Sequence, residues 1–589
     1  MNTAPLFPYK LDDFQLAAIN HLKEGKSVVV CAPTGAGKTA IAEYAVAMVM
    51  QYNKRCYYTT PLKALSNQKF HDFKVLYGED KVGLLTGDIS INRDAPVVVM
   101  TTEVFRNMLY GTIFGEVHHN LRDVAYVVLD ECHYMNDADR GTVWEESIIY
   151  APKGLQLIAL SATIANASEL TSWIDETHGP TALVSSDYRP VPLRFYYFGG
   201  RKLYPLLDAT RHLQPTLRGR FQKTKFNQGS GSRGPQAQMC HPSDVIWTLA
   251  DKQMLPAIYF VFSRRGCEQA MRHCAQLSLL TPAETETMKE SVDSYFEDNP
   301  SSGLVDHPHL PYLLNGIAVH HAGMLPSWKG LIEKLFQKNL LKAVFATETL
   351  AAGINMPARS TIISSIEKRA DEGHRQLKAS EFLQMSGRAG RRGMDEVGHV
   401  VILHHPYQSA EEAARLAVAP PDPLVSRFSP SYGMVLNLLE THTPEQARAL
   451  IEASFGQYLV NQDLAPHYEE RMKIEIELAE LSQASPHTHA QKDAAKTAHR
   501  LEKLKTRMQY LEKLIAQQTT KYWRNFQALN NILNVAGYLN ANKPTELGRL
   551  AQGIRGSNEL FLSEVFISGL LENLAADELS AVLTALDSG

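Results

Sequence analysis

The segment VVVCAPTGAGKTAIAEYAVAM, residues 28–48, carries residue types that bind phosphate groups. Its apolar start predicts a short strand, and apolar residues at helical spacing after the loop predict a helix. Gly35 and Gly37 let the backbone approach closely, so that successive N–H groups surround phosphates at the helix N-terminus. Lys38 would reach the β- and γ-phosphates of ATP, and the Thr39 hydroxyl would bind Mg²⁺. The expected nucleotide-binding residues are Thr34, Gly35, Ala36, Gly37, Lys38 and Thr39; a glycine-rich turn with a surface lysine is the alternative.

A second set of candidate catalytic residues follows the apolar strand in VAYVVLDECHYM, residues 124–135. Polar residues at the carboxyl edge of a parallel sheet lie where ligands bind. Asp130 would hold Mg²⁺, usually through water, and Glu131 would orient and deprotonate the attacking water. His133 belongs to the same candidate set, and IALSAT, residues 158–163, predicts a third polar loop at this edge. Acidic residues that cap an exposed strand end are the alternative.

The third set lies far along the chain in FLQMSGRAGRRG, residues 382–393, with Gln384 as a further catalytic candidate. Arg388 and Arg391 can both face an adjoining surface and offer planar, permanently charged donors to a γ-phosphate. By itself such a turn more often forms a solvated or RNA-contacting loop. However, a second α/β pattern without a P-loop of its own precedes it, with expected strands at 257–263, 316–321, 342–347 and 360–365. Two lobes would place ATP in a cleft that hydrolysis opens and closes.

Composition narrows the class of protein. A chain of 589 residues predicts about three to five domains. No apolar run approaches the ~20 residues that span a bilayer, and the N-terminus lacks the pattern of a signal peptide, so we expect a cytoplasmic protein without membrane contact. The six cysteines form no CxxC pair, which predicts no metal site other than that for nucleotide Mg²⁺. A net charge of −4 neither favours nor excludes a nucleic acid.

With these motifs, the chain resembles the superfamily 2 DExH-box helicases of the superkiller and exosome-helper type, in a bacterial or organellar-like form. The resemblance covers nearly the whole chain in motif order. It implies an α/β fold of two tandem RecA-like parallel-sheet lobes, followed by a winged helix, a helical stalk and a helical bundle that we expect to be mostly missing. The implied domains are lobe 1 (1–190), lobe 2 (191–405), winged helix (406–460), antiparallel stalk (461–520) and start of the bundle (521–589).

The resemblance also implies residue roles. In FPYKLDDFQLAAI, Gln15 would read adenine and Tyr9 would stack on it; in FATETLAAGINMPA, Gly353 and Asn355 would lie near both ligands. A motor that moves along a strand should contact phosphate and sugar rather than bases, through Thr, Asn, Lys and backbone groups. Ordinary helix capping explains such Thr and Asn residues equally well. The expected nucleic-acid contacts are Pro61, Lys63, Ala64, Asn67, Gly87, Thr101, Thr102, Arg106 and Thr347.

The function implied is that of an ATP-dependent RNA helicase that translocates 3′-to-5′ on single-stranded RNA in RNA processing or decay. Residues 140–146 and the SNQKF segment follow the superkiller pattern, which favours RNA over DNA. Expected partners are single-stranded RNA or a tailed RNA duplex, and an exonuclease or other RNA-processing protein; the chain is expected to be monomeric. A repair-type DNA helicase and an ATP-gated RNA clamp or scaffold with little turnover remain as alternatives.

Three further segments have sequence predictions. Apolar residues at three- and four-residue steps within 474–515 predict a bare antiparallel stalk, with helices packed flat on the body as the alternative. The basic segment 209–242 predicts a solvated mobile loop or an RNA contact. The amphipathic segment ADELSAVLTAL, residues 576–586, presents an apolar face that needs a partner.

Overall fold

The computed structural model describes residues 7–110, 121, 123–138, 140–221, 240–299, 307–351, 356–370, 373–483, 491–554 and 558–587. The predicted nucleotide contacts Gly353 and Asn355 lie outside these ranges, as does most of the basic segment 209–242. Within these ranges no helix combines the length and apolar character needed to cross a bilayer.

The first lobe is built on an eight-stranded sheet whose strands are mostly apolar, because a parallel sheet covered on both faces buries both sides of each strand. Its order is β4-β3-β5-β2-β6-β7-β1-β8, and only the β3–β4 pairing is antiparallel. Cys31 pairs with Ser161, and Leu129 pairs with Ala159, so the loops after β1, β6 and β7 leave the same edge. The strands are β1 (Ser27–Cys31), β2 (Arg55–Thr60), β3 (Val82–Leu85), β4 (Ser90–Ile91), β5 (Val97–Thr101), β6 (Val124–Leu129), β7 (Gln156–Ser161) and β8 (Thr181–Ser185).

Helices cover both faces of this sheet. Alternate residues of β1 point to opposite faces: Val28 and Val30 belong to one apolar core, and Val29 and Cys31 to the other. The helices are α1 (Asp13–Lys23), α2 (Thr39–Tyr52), α3 (Lys63–Tyr77), α4 (Thr102–Leu109), α5 (Gly141–Ile149) and α6 (Ala167–Thr177), with 3₁₀ turns at Glu79–Lys81 and Cys132–Asn136.

The second lobe contains a seven-stranded sheet of order β10-β9-β17-β14-β11-β13-β12, parallel except for β10. Four of its strands are those that the sequence predicts. The strands are β9 (Leu193–Gly199), β10 (Lys202–Pro205), β11 (Ala257–Phe260), β12 (Ile317–His320), β13 (Ala343–Ala346), β14 (Ser360–Ile363) and β17 (Gly398–Leu403), with a separate hairpin of β15 (Glu367–Ala370) and β16 (Gly373–Gln376). The predicted architecture of two parallel-sheet lobes is therefore confirmed.

The helices of the second lobe pack around one apolar core. They are α7 (Pro242–Asp251), α8 (Arg264–His273), α9 (Pro282–Asp298), α10 (Leu310–Leu313), α11 (Pro326–Gln337), α12 (Ala379–Ser386) and α13 (Ala410–Ala417), with 3₁₀ turns at Pro215–Leu217 and Glu348–Leu350.

The C-terminal region is mostly helical, and segments that precede and follow the stalk pack together. Apolar residues of α14 share a core with residues beyond the stalk, Phe526, Leu533 and Tyr538 among them. Lys543 donates to the Leu439 carbonyl at 3.0 Å, so segments before and after the stalk are in direct contact, and the boundary expected at residue 521 stays a prediction. The elements are α14 (Tyr432–Thr441), α15 (Pro444–Glu452), α16 (Phe455–Gln483), α17 (Gln491–Thr519), α18 (Lys521–Val535), β18 (Leu539–Asn540), β19 (Lys543–Pro544), α19 (Glu546–Gly553), α20 (Glu559–Ile567) and α21 (Ala576–Asp587).

The stalk consists of α16 and α17, which pack along each other. Ile474, Leu511 and Ile515 are buried between or beneath them. Arg507 forms a bidentate pair with Glu470, with both N–O distances 2.8 Å. The apolar face predicted for 576–586 lies on α21, where Leu583 is 39% exposed.

Glu145, on α5 of lobe 1, joins that lobe to the base of the stalk. Its buried carboxylate accepts hydrogen bonds from the Phe455 N–H at 2.9 Å and the Gly456 N–H at 3.4 Å, the first residues of α16. It also accepts the Ser426 hydroxyl at 2.6 Å. A carboxylate at a helix N-terminus satisfies free N–H groups and complements the helix dipole. The first turn of the stalk is therefore fixed to lobe 1.

Candidate active site

The P-loop connects β1 to α2 and has the backbone of a phosphate-binding turn. Gly35 and Gly37 have φ values of +83° and +87°, where side chains are strained. The Lys38 ammonium group donates to the carbonyl oxygens of Ala32 at 2.8 Å and Pro33 at 3.1 Å. Burial lowers the pKa of Lys38, and the Glu131 and Asp130 carboxylates counteract this effect. The loop thus holds a positive charge beside a helix N-terminus, an arrangement that binds anions.

Gln15 is buried against the P-loop. Its side-chain amide donates to the Gly37 carbonyl at 2.7 Å, and its Oε1 accepts the Asp12 N–H at 2.8 Å. Tyr9 is 50% exposed and shares a hydrogen bond with Glu43 of α2. The structure therefore places Gln15 beside the loop and Tyr9 beside α2, the helix that follows the loop.

Asp130 lies in a buried hydrogen-bond network at the end of β6. The Tyr58 hydroxyl donates to Asp130 Oδ2 at 2.6 Å, and the Glu131 N–H donates to Oδ1 at 3.0 Å. Lys69 reaches Thr39 Oγ1 at 3.4 Å. Burial and the charge of Glu131 raise the pKa of Asp130, while Lys69 and the Tyr58 hydroxyl oppose this shift. Lys69 thus acts on both Asp130 and Thr39, whose oxygen atoms are ligands of the kind that Mg²⁺ prefers.

Glu131 occupies a strained backbone position, with φ of +55°, which for a residue other than glycine costs about 1–3 kcal/mol. Burial alone would raise the pKa of its carboxyl, but His133 and the charges of Lys38 and Arg388 hold it below the ordinary value. Glu131 is therefore ionised at neutral pH and can act as a base.

His133 connects Glu131 to the second lobe. Its Nδ1 lies 3.5 Å from the Glu131 carboxylate, and its Nε2 lies 2.9 Å from the side-chain amide nitrogen of Gln384. Burial lowers the pKa of His133, so the ring is neutral, and the Ala162 N–H also donates to its Nδ1, at 3.4 Å. This chain of contacts links the Glu131 carboxylate of one lobe to α12 of the other.

Arg388 and Arg391, the two predicted arginine fingers, take different positions. The Arg388 guanidinium is buried, donates to the Ala351 carbonyl at 2.6 Å through Nη2, and lowers the pKa of Glu131 by its charge. The structure differs from the prediction at Arg391. Its Nε and Nη2 donate to Asp395 at 2.8 and 3.0 Å, and its Nη1 donates to Asn339 at 2.9 Å.

Asp395, four residues further on, is the physical reason for this difference. Although burial alone would raise its pKa, Arg391 and Arg359 hold the pKa of Asp395 at about 2. A buried ion pair of this geometry is strongly preferred to a free guanidinium. Instead, the adjacent Arg392 reaches the P-loop, with Nη1 3.4 Å from the Ala36 carbonyl and Nη2 3.1 Å from Asp12.

Arg189 lies in the segment between the lobes and contacts both. Its Nη1 donates to the P-loop carbonyl of Thr34 at 3.2 Å. Its Nη2 donates to the carbonyl oxygens of Gly387 and Ala389, at 2.9 and 2.6 Å.

A cleft of about 1960 Å³ opens between the lobes. Of the nine residues predicted to contact nucleic acid, five line it: Pro61, Lys63, Ala64, Gly87 and Thr101. Basic side chains of both lobes also line it: Arg140, Arg189, Arg194, Arg211, Lys329 and Lys378.

The other four predicted contacts are placed differently. Thr102 is buried and donates to the Thr60 carbonyl at 3.1 Å. Arg106 is paired with buried Glu146 at 2.6 Å, so its charge is already used within lobe 1. The Thr347 hydroxyl lies 2.8 Å from that of Thr349, and Asn67 is exposed on α3 outside the cleft lining.

Two family models match the chain. Residues 12–170 match the DEAD/DEAH box helicase model, and residues 541–587 match the DSHCT (NUC185) domain model. The chain is also 42% identical over 547 residues to the chloroplastic DExH-box ATP-dependent RNA helicase DExH15 of Arabidopsis thaliana, covering 81% of this chain and 46% of that protein. The chain belongs to the superkiller-type DExH-box helicases.

Other members of the family are similar to this DExH-box chain. The probable helicase HelY of Mycobacterium tuberculosis is 43% identical over 473 residues, 77% of this chain and 52% of HelY. The human exosome RNA helicase MTR4 is 39% identical over 477 residues, 77% of this chain and 44% of MTR4. The chain spans about half the length of the curated relatives that it matches.

Several residues of this DExH-box site do not follow from its sequence motifs. Tyr58 supports Asp130 from a strand with no motif of its own, and Lys69, which contacts Thr39, lies in the SNQKF segment but had no predicted role at the nucleotide site. Arg189 acts on carbonyl oxygens, which every residue carries. Arg392 and Lys69 stand within segments that the sequence analysis names, GRAGRRG and SNQKF.

Proposed function

We propose that this chain is an ATP-dependent RNA helicase that translocates 3′-to-5′ on single-stranded RNA in RNA processing or decay. The observation that carries the proposal is the direct contact between lobes at the catalytic carboxylate. Gln384 of lobe 2 bonds to His133, which neighbours Glu131 of lobe 1. Chemistry at Glu131 is thereby coupled to the relative position of the lobes, as a motor requires.

ATP binding would use the groups beside the P-loop. Lys38 is held by two backbone carbonyls, and a γ-phosphate would offer this ammonium group a stronger, charged acceptor. Gln15 and Tyr9 would contact adenine, with Gln15 held in place by Gly37 and Asp12.

The residues present fit a magnesium ion. Within the described ranges no cluster of three or more His, Cys, Asp or Glu side chains could hold a metal. Mg²⁺ in nucleotide sites instead keeps several waters and binds one or two protein oxygens together with substrate phosphates. Thr39 and Asp130 would supply those oxygens, and the ion would neutralise charge on the phosphates. Lys69, close to Thr39, would then turn to the phosphates or to Glu43.

Hydrolysis would proceed by attack of water on the γ-phosphate. Ionised Glu131 would orient this water and accept its proton, while Arg388 and Lys38 would stabilise the charge that develops on the phosphoryl oxygens. Both cations already act on Glu131, so the groups required lie together before substrate binds. Arg391 would join them only if it left Asp395, and its role as a second arginine finger stays a prediction.

The cleft supports the choice of a nucleic-acid substrate through the basic and polar groups that line it from both lobes, interspersed with acidic side chains such as Glu103 and Glu381. The preference for RNA is supported by the relatives, among them an exosome RNA helicase. An exonuclease or other RNA-processing protein as partner, a monomeric state and a cytoplasmic location complete the proposal. One of the relatives is a chloroplastic helicase.

Two assays test the proposal. The first compares ATP turnover without nucleic acid, with single-stranded RNA and with single-stranded DNA, using Glu131→Gln as the inactive control. Stronger stimulation by RNA supports the RNA helicase; stronger stimulation by DNA would favour a repair-type helicase; no turnover above the control would favour a clamp. The second compares displacement of RNA duplexes with 3′ or 5′ tails, and a requirement for a 5′ tail would contradict the proposed direction.

A further inference from the structure

We propose that Arg189 is a positioning residue for phosphoryl transfer, because it fixes the backbone on both sides of Arg388 and ties it to the P-loop. The inference rests on the proposed ATP hydrolysis and adds a residue from the segment between the lobes. The contacts of Arg189 explain how the Arg388 side chain of lobe 2 is positioned relative to the P-loop of lobe 1.

The four hydrogen bonds of Arg189 join three segments of the chain. Nε donates to the Val191 carbonyl at 3.0 Å within the interlobe segment. Nη1 donates to Thr34 of the P-loop, and Nη2 donates to Gly387 and Ala389 of lobe 2. Each of the three guanidinium nitrogens of Arg189 therefore donates to a different segment of the chain.

The two acceptors on lobe 2 are the carbonyls of the residues on either side of Arg388. The Gly387 carbonyl belongs to the peptide group before Arg388, and the Arg388 carbonyl, in the peptide group after it, accepts the Ala358 N–H at 2.9 Å. Arg189 thus fixes the first of these planar groups and the next residue beyond the second, which restricts the direction in which the Arg388 side chain leaves the backbone. The same rule applies to the P-loop: with the Thr34 carbonyl on Arg189, the N–H of Gly35 points the opposite way. Arg189 therefore orients a phosphate-binding amide and the backbone of a transition-state cation at once.

Close packing around Arg189 supports a geometric role. A Cβ at Gly387 would lie 3.0 Å from Cβ of Thr34, and a Cβ at Gly390 would lie 2.5 Å from Cγ1 of Val191. The interlobe segment, the P-loop and the GRAGR turn thus touch directly. Small displacements of these segments would be transmitted rather than absorbed, since packed interiors have little free space.

The charge of Arg189 is not balanced by an ion pair with any described residue. Burial lowers its pKa to about 10, so it stays charged at neutral pH, and backbone carbonyls are its partners. A lysine would keep the charge but could not spread its donors over three segments, because an ammonium group is a single point and lacks the planar fork.

The test measures steady-state ATPase activity and nucleotide affinity for Arg189→Lys and Arg189→Gln, below the melting temperature of each variant. We expect kcat to fall about tenfold or more in both, with nucleotide affinity within about threefold of wild type, because the lost interaction acts in the transition state. Arg201→Lys is the matched control, since Arg201 is exposed and forms one ion pair with Asp244, at 2.9 Å.

A second measurement separates positioning from general support of the fold. In an Arg388→Ala background, single-turnover hydrolysis should change by less than about threefold when Arg189→Lys is added, because residues that act as a unit are not additive. Equal losses in both backgrounds, an unchanged kcat, or failure of both Arg189 variants to fold would overturn the positioning role. No turnover by wild type would instead contradict the proposed function.

Discussion

Replacing Tyr58 with Phe removes one oxygen atom from beneath the proposed magnesium site. The hydroxyl donates to Asp130 at 2.6 Å, and both residues are buried. A phenylalanine ring fits the same space, so the substitution deletes a hydrogen bond without leaving a large cavity. The substitution therefore measures how much the Tyr58 hydroxyl contributes to the ionised state and the position of Asp130.

The magnitude follows from the type of bond. A short hydrogen bond to a charged group contributes about 1.5–3 kcal/mol, which corresponds to roughly a 10- to 100-fold change in an equilibrium constant. The hydroxyl favours the ionised form of Asp130 against burial and the charge of Glu131, which raise its pKa. Its loss should therefore raise the pKa of Asp130 further and weaken Mg²⁺ binding at neutral pH.

The assay is RNA-stimulated ATPase activity as a function of free Mg²⁺ at several pH values. We expect the half-saturating Mg²⁺ concentration to rise by about tenfold or more, and less so at high pH, where Asp130 loses its proton. Tyr57→Phe is the control: it removes a buried tyrosine hydroxyl from the next residue of β2, on the opposite face of the sheet.

An unchanged Mg²⁺ dependence in Tyr58→Phe would refute this reasoning, because it would show that Mg²⁺ binding does not depend on the hydrogen bond from Tyr58 to Asp130. The same shift in Tyr57→Phe would also refute it, by attributing the effect to general loosening of lobe 1.

Three further predictions follow from the site and the fold. Glu131→Gln should keep nucleotide affinity, since Lys38 and Asp130 remain, and lower turnover by about a hundredfold or more; turnover near the wild-type rate would exclude Glu131 as the base. RNA affinity should fall steadily as salt is raised, with little dependence on base sequence, and filter binding that shows one strongly preferred sequence would contradict a translocating motor. Burial raises the pKa of Glu145 to about 7, above its value in the unfolded chain, so the folded state binds more protons between about pH 4.5 and 7 and stability should decrease as pH rises through this window. Glu145→Gln should abolish this component, worth about 3 kcal/mol at most; equal pH dependence of urea unfolding in both proteins would count against it.

The phosphate chemistry of lobe 1 could be predicted from the sequence because each motif combines a local strand pattern with residue types specific to that chemistry. The P-loop between β1 and α2 and the acidic residues after β6 are of this kind. Parallel strands then bring their carboxyl ends to one edge, so spatial proximity follows from topology.

Arg391 shows what such reasoning leaves open. Its spacing from Arg388 is compatible with two arginine fingers, but the side chain has a competing acceptor in Asp395, four residues on. Residue types predict which charges are available, whereas the choice among acceptors depends on burial and distance. Arg106 differs from its predicted role for the same reason, because Glu146 lies next to it in space and 40 residues away in sequence.

The unit around α14 could not be delimited from the sequence, because its two parts are separated by the entire stalk. Helix α14 is apolar along much of its surface. This pattern predicts that the helix is buried, but it does not identify the residues that cover it. The covering residues, Leu533 and Tyr538 among them, come from beyond residue 520. Contacts over such sequence distances leave no local pattern.

The anchoring of α16 by Glu145 has a mechanical consequence. A helix of 29 residues is about 44 Å long at 1.5 Å per residue, and its first turn is bonded to lobe 1. Each degree by which lobe 1 rotates would carry the far end of such a rod through roughly 0.8 Å. A small rotation of lobe 1 therefore displaces the far end of the stalk much more than it displaces groups near the nucleotide site. A fluorophore pair between the stalk tip and lobe 2 would read the state of the cleft from a distance.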